Sequence, residues 1–261
     1  MIANAKRPVI FVGRVTRNPD AWKARIALAE ALNARVITDR RIAIGFPGNH
    51  RLQPYSPGPA LDAAAKATVQ EADVILSLDW VDLGGTFKAI GGEPKATIIQ
   101  VSLDQNLHNG WSMDYEGLPA VDLFIPAETD ATVEALAKEV APRAKPKKPH
   151  AARPHPLKEK PAPESQMAAA DMANVLRHVV GDRTVCLTHV SLSWHGEFWP
   201  FRHPLDYVGS DGGGGVGAEA GRAVGEDRVE VAHQDDGNFN MTPDFSNLLK
   251  NKSHRNAVFK G

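Results

Sequence analysis

Along the first half of the chain, blocks of apolar residues alternate with blocks of helical period. Pro8-Val9-Ile10-Phe11-Val12-Gly13 is apolar up to its closing glycine, as a strand buried on both faces reads. Asn18-Pro19-Asp20 then offers a helix start, and Trp22, Ile26, Leu28, Ala29 and Leu32 recur at helical spacing. Residues 34–38 read as the next strand, 60–71 as a helix, 73–78 as a third strand, 96–102 as a fourth and 120–126 as a fifth; 129–140 close the unit with a helix. Strands that alternate with helices predict an α/β unit over residues 1–141, a doubly wound parallel sheet covered on both faces.

The pattern then changes character. Residues 142–164 are rich in Pro, Lys, Arg and His and hold almost no large apolar residue, so they read as an extended linker and a domain boundary. Residues 165–180 predict an amphipathic helix whose apolar face is Met167, Met172, Val175, Leu176 and Val179. A strand is predicted over 184–189. The aromatic stretch Trp194, Phe198, Trp199, Phe201 and Tyr207 is predicted to pack in a core or interface. An alternating strand, Arg228-Val229-Glu230-Val231-Ala232, follows later. Residues 165–261 thus form a second α/β unit.

Charge and cysteine content narrow the classes. With 30 Lys+Arg against 31 Asp+Glu the net charge is −1, which gives no reason to expect a nucleic-acid or acidic-membrane partner. The basic linker has no interleaved aromatics and reads as solvated chain. The single cysteine, Cys186, sits in the apolar run Thr184-Val185-Cys186-Leu187 and reads as a buried small side chain, consistent with a reducing cytoplasm. No apolar run is long enough to span a bilayer, and the N-terminus lacks the apolar core of a secretory signal.

Two segments carry candidate chemistry. The turn after the first strand, Gly13-Arg14-Val15-Thr16-Arg17-Asn18, lacks the three spaced glycines of a dinucleotide fingerprint, so a structural role outranks NAD or FAD binding there. Arg14 and Arg17 could meet an anion, but a solvated loop is the plainer reading. By contrast, Gly209-Ser210-Asp211-Gly212-Gly213-Gly214-Gly215-Val216-Gly217 lets backbone approach a ligand closely ahead of a helix expected near Ala218, an arrangement that favours a diphosphate. A flexible linker is its rival. The strand at 228–232 runs into Asp235-Asp236-Gly237-Asn238-Phe239-Asn240-Met241, an acidic turn suited to Mg²⁺ with phosphate oxygens, or else an ordinary Asp-Gly turn.

In order along the chain, these motifs resemble the thiamine-diphosphate-dependent enzymes of the acetolactate-synthase type. Residues 7–13 are similar to the opening strand of that family's Rossmann-like middle domain, Gly45-Phe46-Pro47-Gly48-Asn49-His50 to its Phe-Pro-x-x-His segment, and 72–78 to its Ala-Asp-x-x-Leu strand. Residues 210–217 stand where the family has Ser-Gly-Gly-Leu-Gly-Thr-Met-Gly, and Asp235-Asp236-Gly237-Asn238-Phe239 where it has Gly-Asp-Gly-x-Phe. The resemblance implies that Asp236 is an Mg²⁺ ligand. It also implies that Gly214, Gly215, Gly237 and Asn238 surround thiamine diphosphate, and that Val216 is the apolar wedge that bends it. The substrate implied is a small 2-keto acid, acted on by decarboxylation or carboligation in a homo-oligomer, or else a related thioester that is cleaved. Overall likeness favours the acetolactate-synthase type.

Departures from the family pattern set further expectations. The family's leading domain, which supplies the activating Glu, has no counterpart before Pro8, and the chain stops where a second Mg²⁺ ligand would begin. Asp235 replaces a glycine, the stretch from Ala223-Val224-Gly225 to Asp235 is short, and residues 250–261 lack the apolar strand expected there. The second unit therefore reads as an incomplete thiamine-diphosphate-binding domain, in a fragment, a damaged copy or an engineered chain that is inactive alone. A non-catalytic structural or regulatory chain and a nucleotide-binding module are the alternatives.

Overall fold

The computed structural model describes residues 1–39, 42, 44–55, 57–58, 60–106, 117–140, 168–188, 194–207 and 209, together with the backbone of 229–234 and 257–260. Its first sheet contains β1 (Pro8–Val12), β2 (Arg35–Thr38), β3 (Val74–Leu78), β4 (Thr97–Val101) and β5 (Leu123–Ile125), in the order β2-β1-β3-β4-β5. All four pairings are parallel, and Ile10 lies between Val36 and Leu76. Alternate residues of each strand face opposite sides. Ile10, Val12, Leu76 and Leu78 meet Leu28, Leu32 and Val133 of the helices α1 (Pro19–Leu32) and α4 (Thr129–Glu139). Val9, Phe11, Ile75 and Ile98 meet Ala65 and Val69 of α2 (Ala63–Glu71) and Leu83 and Phe87 of α3 (Leu83–Ala89). The α/β reading with a doubly wound parallel sheet holds.

The helix boundaries follow from their caps. The Asn18 side chain accepts the N–H groups of Asp20 and Ala21 at 2.7 and 3.2 Å, and Pro19 opens α1 where a missing donor costs nothing. The helix expected from residue 60 begins instead at Ala63, because Asp62 caps it through the Ala65 N–H at 2.7 Å. Helix α3 has no counterpart in the sequence reading, since its glycine pair Gly84-Gly85 weakens the helical signal. Two contacts hold it: Asp82 accepts the Gly85 N–H at 2.9 Å, and the Trp80 indole donates to the Thr86 hydroxyl at 2.8 Å.

The second region has α5 (Ala169–Val180) and a parallel sheet ordered β6-β7-β8, with β6 (Val185–Thr188), β7 (Val229–Gln234) and β8 (Ala257–Lys260). Two expectations are corrected. Residues 250–261 do carry a strand, because Ala257-Val258-Phe259-Lys260, too short to stand out by pattern, pairs with β7. The buried stripe of α5 runs through Ala173, Leu176 and Val180, with Met172 packed against it, while Val179 is 52% exposed. Val179 lies beside this stripe rather than on it. Met167 lies outside the described residues. The aromatic stretch does form core: Trp194, Trp199, Phe201 and Tyr207 are buried with α5 and β6. Trp22 of α1 and Ile44 belong to the same cluster, so the first region contributes to the core of the second.

Candidate functional site

In parallel α/β sheets, ligands gather outside the carboxyl ends of the strands. The second sheet brings two chain exits to that edge. Strand β7 is its central strand and ends at Gln234, one residue before the acidic turn. On the other side of β6, Tyr207 forms a parallel bridge with Leu187, which itself pairs with Val231 of β7. Tyr207 and β7 therefore flank β6, about 10 Å apart by two strand spacings. Gly209 follows with φ +83°, a left-handed conformation that glycine adopts without a Cβ penalty, immediately before the glycine-rich segment.

Asp206 secures this exit and had no assigned role from sequence. Its carbonyl accepts the Leu187 N–H at 2.8 Å, and its carboxylate accepts the N–H groups of Arg202 and His203 at 2.7 and 2.9 Å. An Asp soon after His-Pro is a turn signal that could have pointed to it. The Trp194 indole nitrogen is buried with no hydrogen-bond partner.

Among the described residues, three backbone hydrogen bonds join this region to the first: Ile44 N–H to Tyr207 carbonyl at 3.4 Å, Gly48 N–H to Phe201 carbonyl at 2.9 Å and Gly196 N–H to Pro57 carbonyl at 2.8 Å. Within the first region, His50 of the Phe-Pro-x-x-His segment packs edge-on against Phe46 and lies 3.3 Å from the Glu30 carboxylate. Burial lowers the His50 pKa despite that carboxylate.

The carboxyl ends of the first sheet are differently built. The order β2-β1-β3 places its switch point between β1 and β3, where a ligand crevice is expected. Here Gly13 donates to the Leu78 carbonyl at 2.9 Å, and a Cβ on Gly13 would lie 2.7 Å from the Trp80 Cα. Arg14 is not a free loop cation: it meets Asp79 at 2.8 and 2.9 Å and also Asp104. Burial works against its charge, but the two carboxylates outweigh burial and raise its pKa. Behind this turn the Arg25 guanidinium is buried, bound to the Gly45 and Thr16 carbonyls and to Asp130.

The sequence-derived ligands Gly214, Gly215, Val216, Asp236, Gly237 and Asn238 lie outside the described residues. What the structure describes is the pair of strands and bridges that lead to them. Among the described residues, no group of three or more His, Cys, Asp or Glu could hold a metal ion.

Residues 1–114 match the sequence profile of the thiamine pyrophosphate enzyme central domain. Over 105 residues, 40% of the chain, it is 30% identical to an acetolactate synthase of Mycobacterium bovis and to the acetolactate synthase large subunit IlvB1 of Mycobacterium tuberculosis, a stretch covering 17% of each relative. Its fold matches a benzoylformate decarboxylase from Polynucleobacter necessarius at TM-score 0.66 and 20% identity. It also matches a thiamine diphosphate-dependent 4-hydroxybenzoylformate decarboxylase from Rhodococcus jostii RHA1 at TM-score 0.63 and 21% identity. Each match covers 92% of this chain and 45% of the decarboxylase, so the chain spans about half the length of its structural neighbours. Residues 1–114 thus match the central domain of thiamine pyrophosphate enzymes, and the chain shares the fold of the two decarboxylases.

Proposed function

We propose that this chain is the middle domain, residues 1–141, a linker, 142–164, and part of the cofactor-binding domain, 165–261, of an enzyme acting on small 2-keto acids by decarboxylation or carboligation, acetolactate-synthase-like. The observation that carries the reading is the pair of exits on either side of β6: Tyr207 leads into the glycine-rich segment and β7 leads into the acidic turn. The donor set of that turn suits the group. Asp236 offers a hard oxygen ligand for Mg²⁺, and the backbone amides of Gly237 and Asn238 are donors suited to diphosphate oxygens. Asp236 would hold the metal, Gly214, Gly215, Gly237 and Asn238 the diphosphate, and Val216 the bend of the cofactor. When bound, thiamine diphosphate supplies a nucleophilic carbon and an electron sink. We place the parent enzyme in the cytoplasm as a homo-oligomer; no described helix is long and apolar enough to cross a membrane.

Calorimetric titration with thiamine diphosphate, with and without Mg²⁺, tests the assignment. Asp236→Ala should weaken metal and cofactor together, because the ion neutralises the diphosphate that the carboxylate helps to hold. Asp235→Gly should leave binding unchanged or tighter, since it removes a like charge. If Asp236→Ala binds as the parent does while Asp235→Gly loses binding, the registration of the motif is wrong. Absence of binding by both the parent and Asp235→Gly at millimolar cofactor would favour a non-catalytic chain.

A further inference from the structure

The loop at residues 44–58 has two attachments. On one side it extends the first sheet: the Leu52 carbonyl accepts the Val36 N–H of β2 at 2.8 Å, and the Leu52 side chain is buried in the first core cluster. On the other side it meets the aromatic segment, where Gly48 donates to the Phe201 carbonyl at 2.9 Å. His50 stands between them. Its N–H donates to the Pro47 carbonyl at 3.1 Å and its carbonyl accepts the Gln53 N–H at 2.9 Å, so consecutive tight turns carry both attachments. The His50 Nδ1 accepts the Leu52 N–H at 3.2 Å, and the ring packs edge-on against buried Phe46 with centroids 5.1 Å apart. Among the described residues, the Leu52 N–H has no other acceptor.

An acceptor role at Nδ1 sets the protonation state. Neutral imidazole carries one proton, so accepting at Nδ1 places it on Nε2, which faces the Glu30 carboxylate of α1 at 3.3 Å. Imidazolium carries a proton on both nitrogens, and Nδ1 would then point an N–H at the Leu52 N–H. Leu52 is fully buried, so its donor, once unpaired, has no water to turn to. Two charged groups act on the ring: Glu30 of α1 favours its charge, and Arg51 of the same loop opposes it. Glu30 is half-exposed and lies 3.9 Å from Arg51 as well, which weakens its hold on the ring. Burial is the largest influence and lowers the His50 pKa, so the folded arrangement selects the neutral ring.

We propose that His50 is an acid-sensitive latch on the junction between the two regions: its protonation turns the ring away from Leu52 and Phe46 and loosens the turn that holds Gly48 to Phe201. The opening is local. Leu52 stays anchored by its side chain, and the bonds of Ile44 to Tyr207 and of Gly196 to Pro57 lie outside that turn. The latch needs no bound cofactor and does not rest on the cofactor reading.

The test is amide hydrogen exchange of the whole chain across pH, expressed as protection relative to the unfolded rate at each pH, with the His50 ring titration followed by NMR. Protection at Gly48 and Leu52 should fall about tenfold between about pH 8 and about pH 5, in step with His50, while β1 and β3 keep theirs. His50→Asn retains an acceptor for the Leu52 N–H, as in an Asx turn, but cannot titrate, so its protection should stay flat. Glu30→Gln removes the carboxylate that favours the charged ring and should move the fall to lower pH; it serves as the test should the Asn variant not fold. Flat protection at Gly48 and Leu52 in the parent overturns the proposal. So does an equal fall in His50→Asn, a fall shared by β1 and β3, or a Glu30→Gln midpoint that does not move down.

Discussion

The two sheets solve the same packing problem with different resources. The first assembles five parallel strands between two pairs of helices, and its two apolar clusters are drawn from residues 2–140 alone. The second has three described strands and one described helix, and its cluster draws on Trp22 and Ile44 of the first region. A region that completes its own core can fold alone, whereas one that borrows core residues is stabilised by the lender. Dependence between parallel α/β units can thus be read from who owns the buried side chains rather than from strand counts.

Separating the regions should give the largest effect. A chain of residues 1–141 is expected to unfold cooperatively on denaturant titration, whereas residues 165–261 alone should show no cooperative transition and should expose aromatic surface to dye. A cooperative transition in the second piece would break the contrast.

Removing the lent side chain comes next. Trp22 is 6% exposed on α1, and Trp22→Ala should cost about 3–5 kcal/mol, as large aromatic truncations in cores do. Hydrogen exchange should accelerate most in α5 and β6 and least in β1 and β3. The reverse pattern would show that Trp22 serves chiefly its own region.

A substitution confined to the first region sharpens the comparison from the other side. In Gly13→Ala the new Cβ would meet the Asp79 carbonyl carbon at 2.6 Å, and overpacking of that kind costs about 1–3 kcal/mol. Hydrogen exchange should accelerate in β1 and β3 before any change in α5 and β6, and the reverse order would count against the contrast.

The smallest effect concerns His50, on the loop that joins the regions. Burial lowers its folded-state pKa, so the unfolded chain binds the proton more readily. Stability is therefore unaffected at pH above the ordinary histidine range and falls as pH drops through it, levelling once the folded form also protonates. Denaturation midpoints measured across that range should slope less in His50→Gln than in the parent. An identical slope would remove His50 from the account.

How much of this was legible in the sequence depended on whether a signal was local. Strands β1 to β4 are short apolar runs and could be read directly, and Asn18-Pro19-Asp20 announced α1 through a cap made by adjacent residues. Helix α3 escapes the sequence reading although its cap is local, because the glycine pair Gly84-Gly85 argues against a helix and masks the signal of Asp82, the N-cap. The Arg25–Asp130 pair was equally hidden: nothing near Arg25 in a helix of Ala and Leu names a partner on α4. At the candidate site, the glycine-rich and acidic motifs drew attention by composition. Asp206, which sets the Tyr207 exit, is one common residue whose role appears only when β6 lies beside it.

The hydrogen bonds that couple the loop at 44–58 to the aromatic segment run from main chain to main chain. Such bonds contain no record of residue identity, so substitutions can accumulate around them without altering the joint. The exception is Gly196, where any Cβ would lie 2.6 Å from the Pro57 ring. Gly196 should therefore be held to a single amino acid by lack of space, whereas Gly48 has ordinary room for a Cβ beside Phe201.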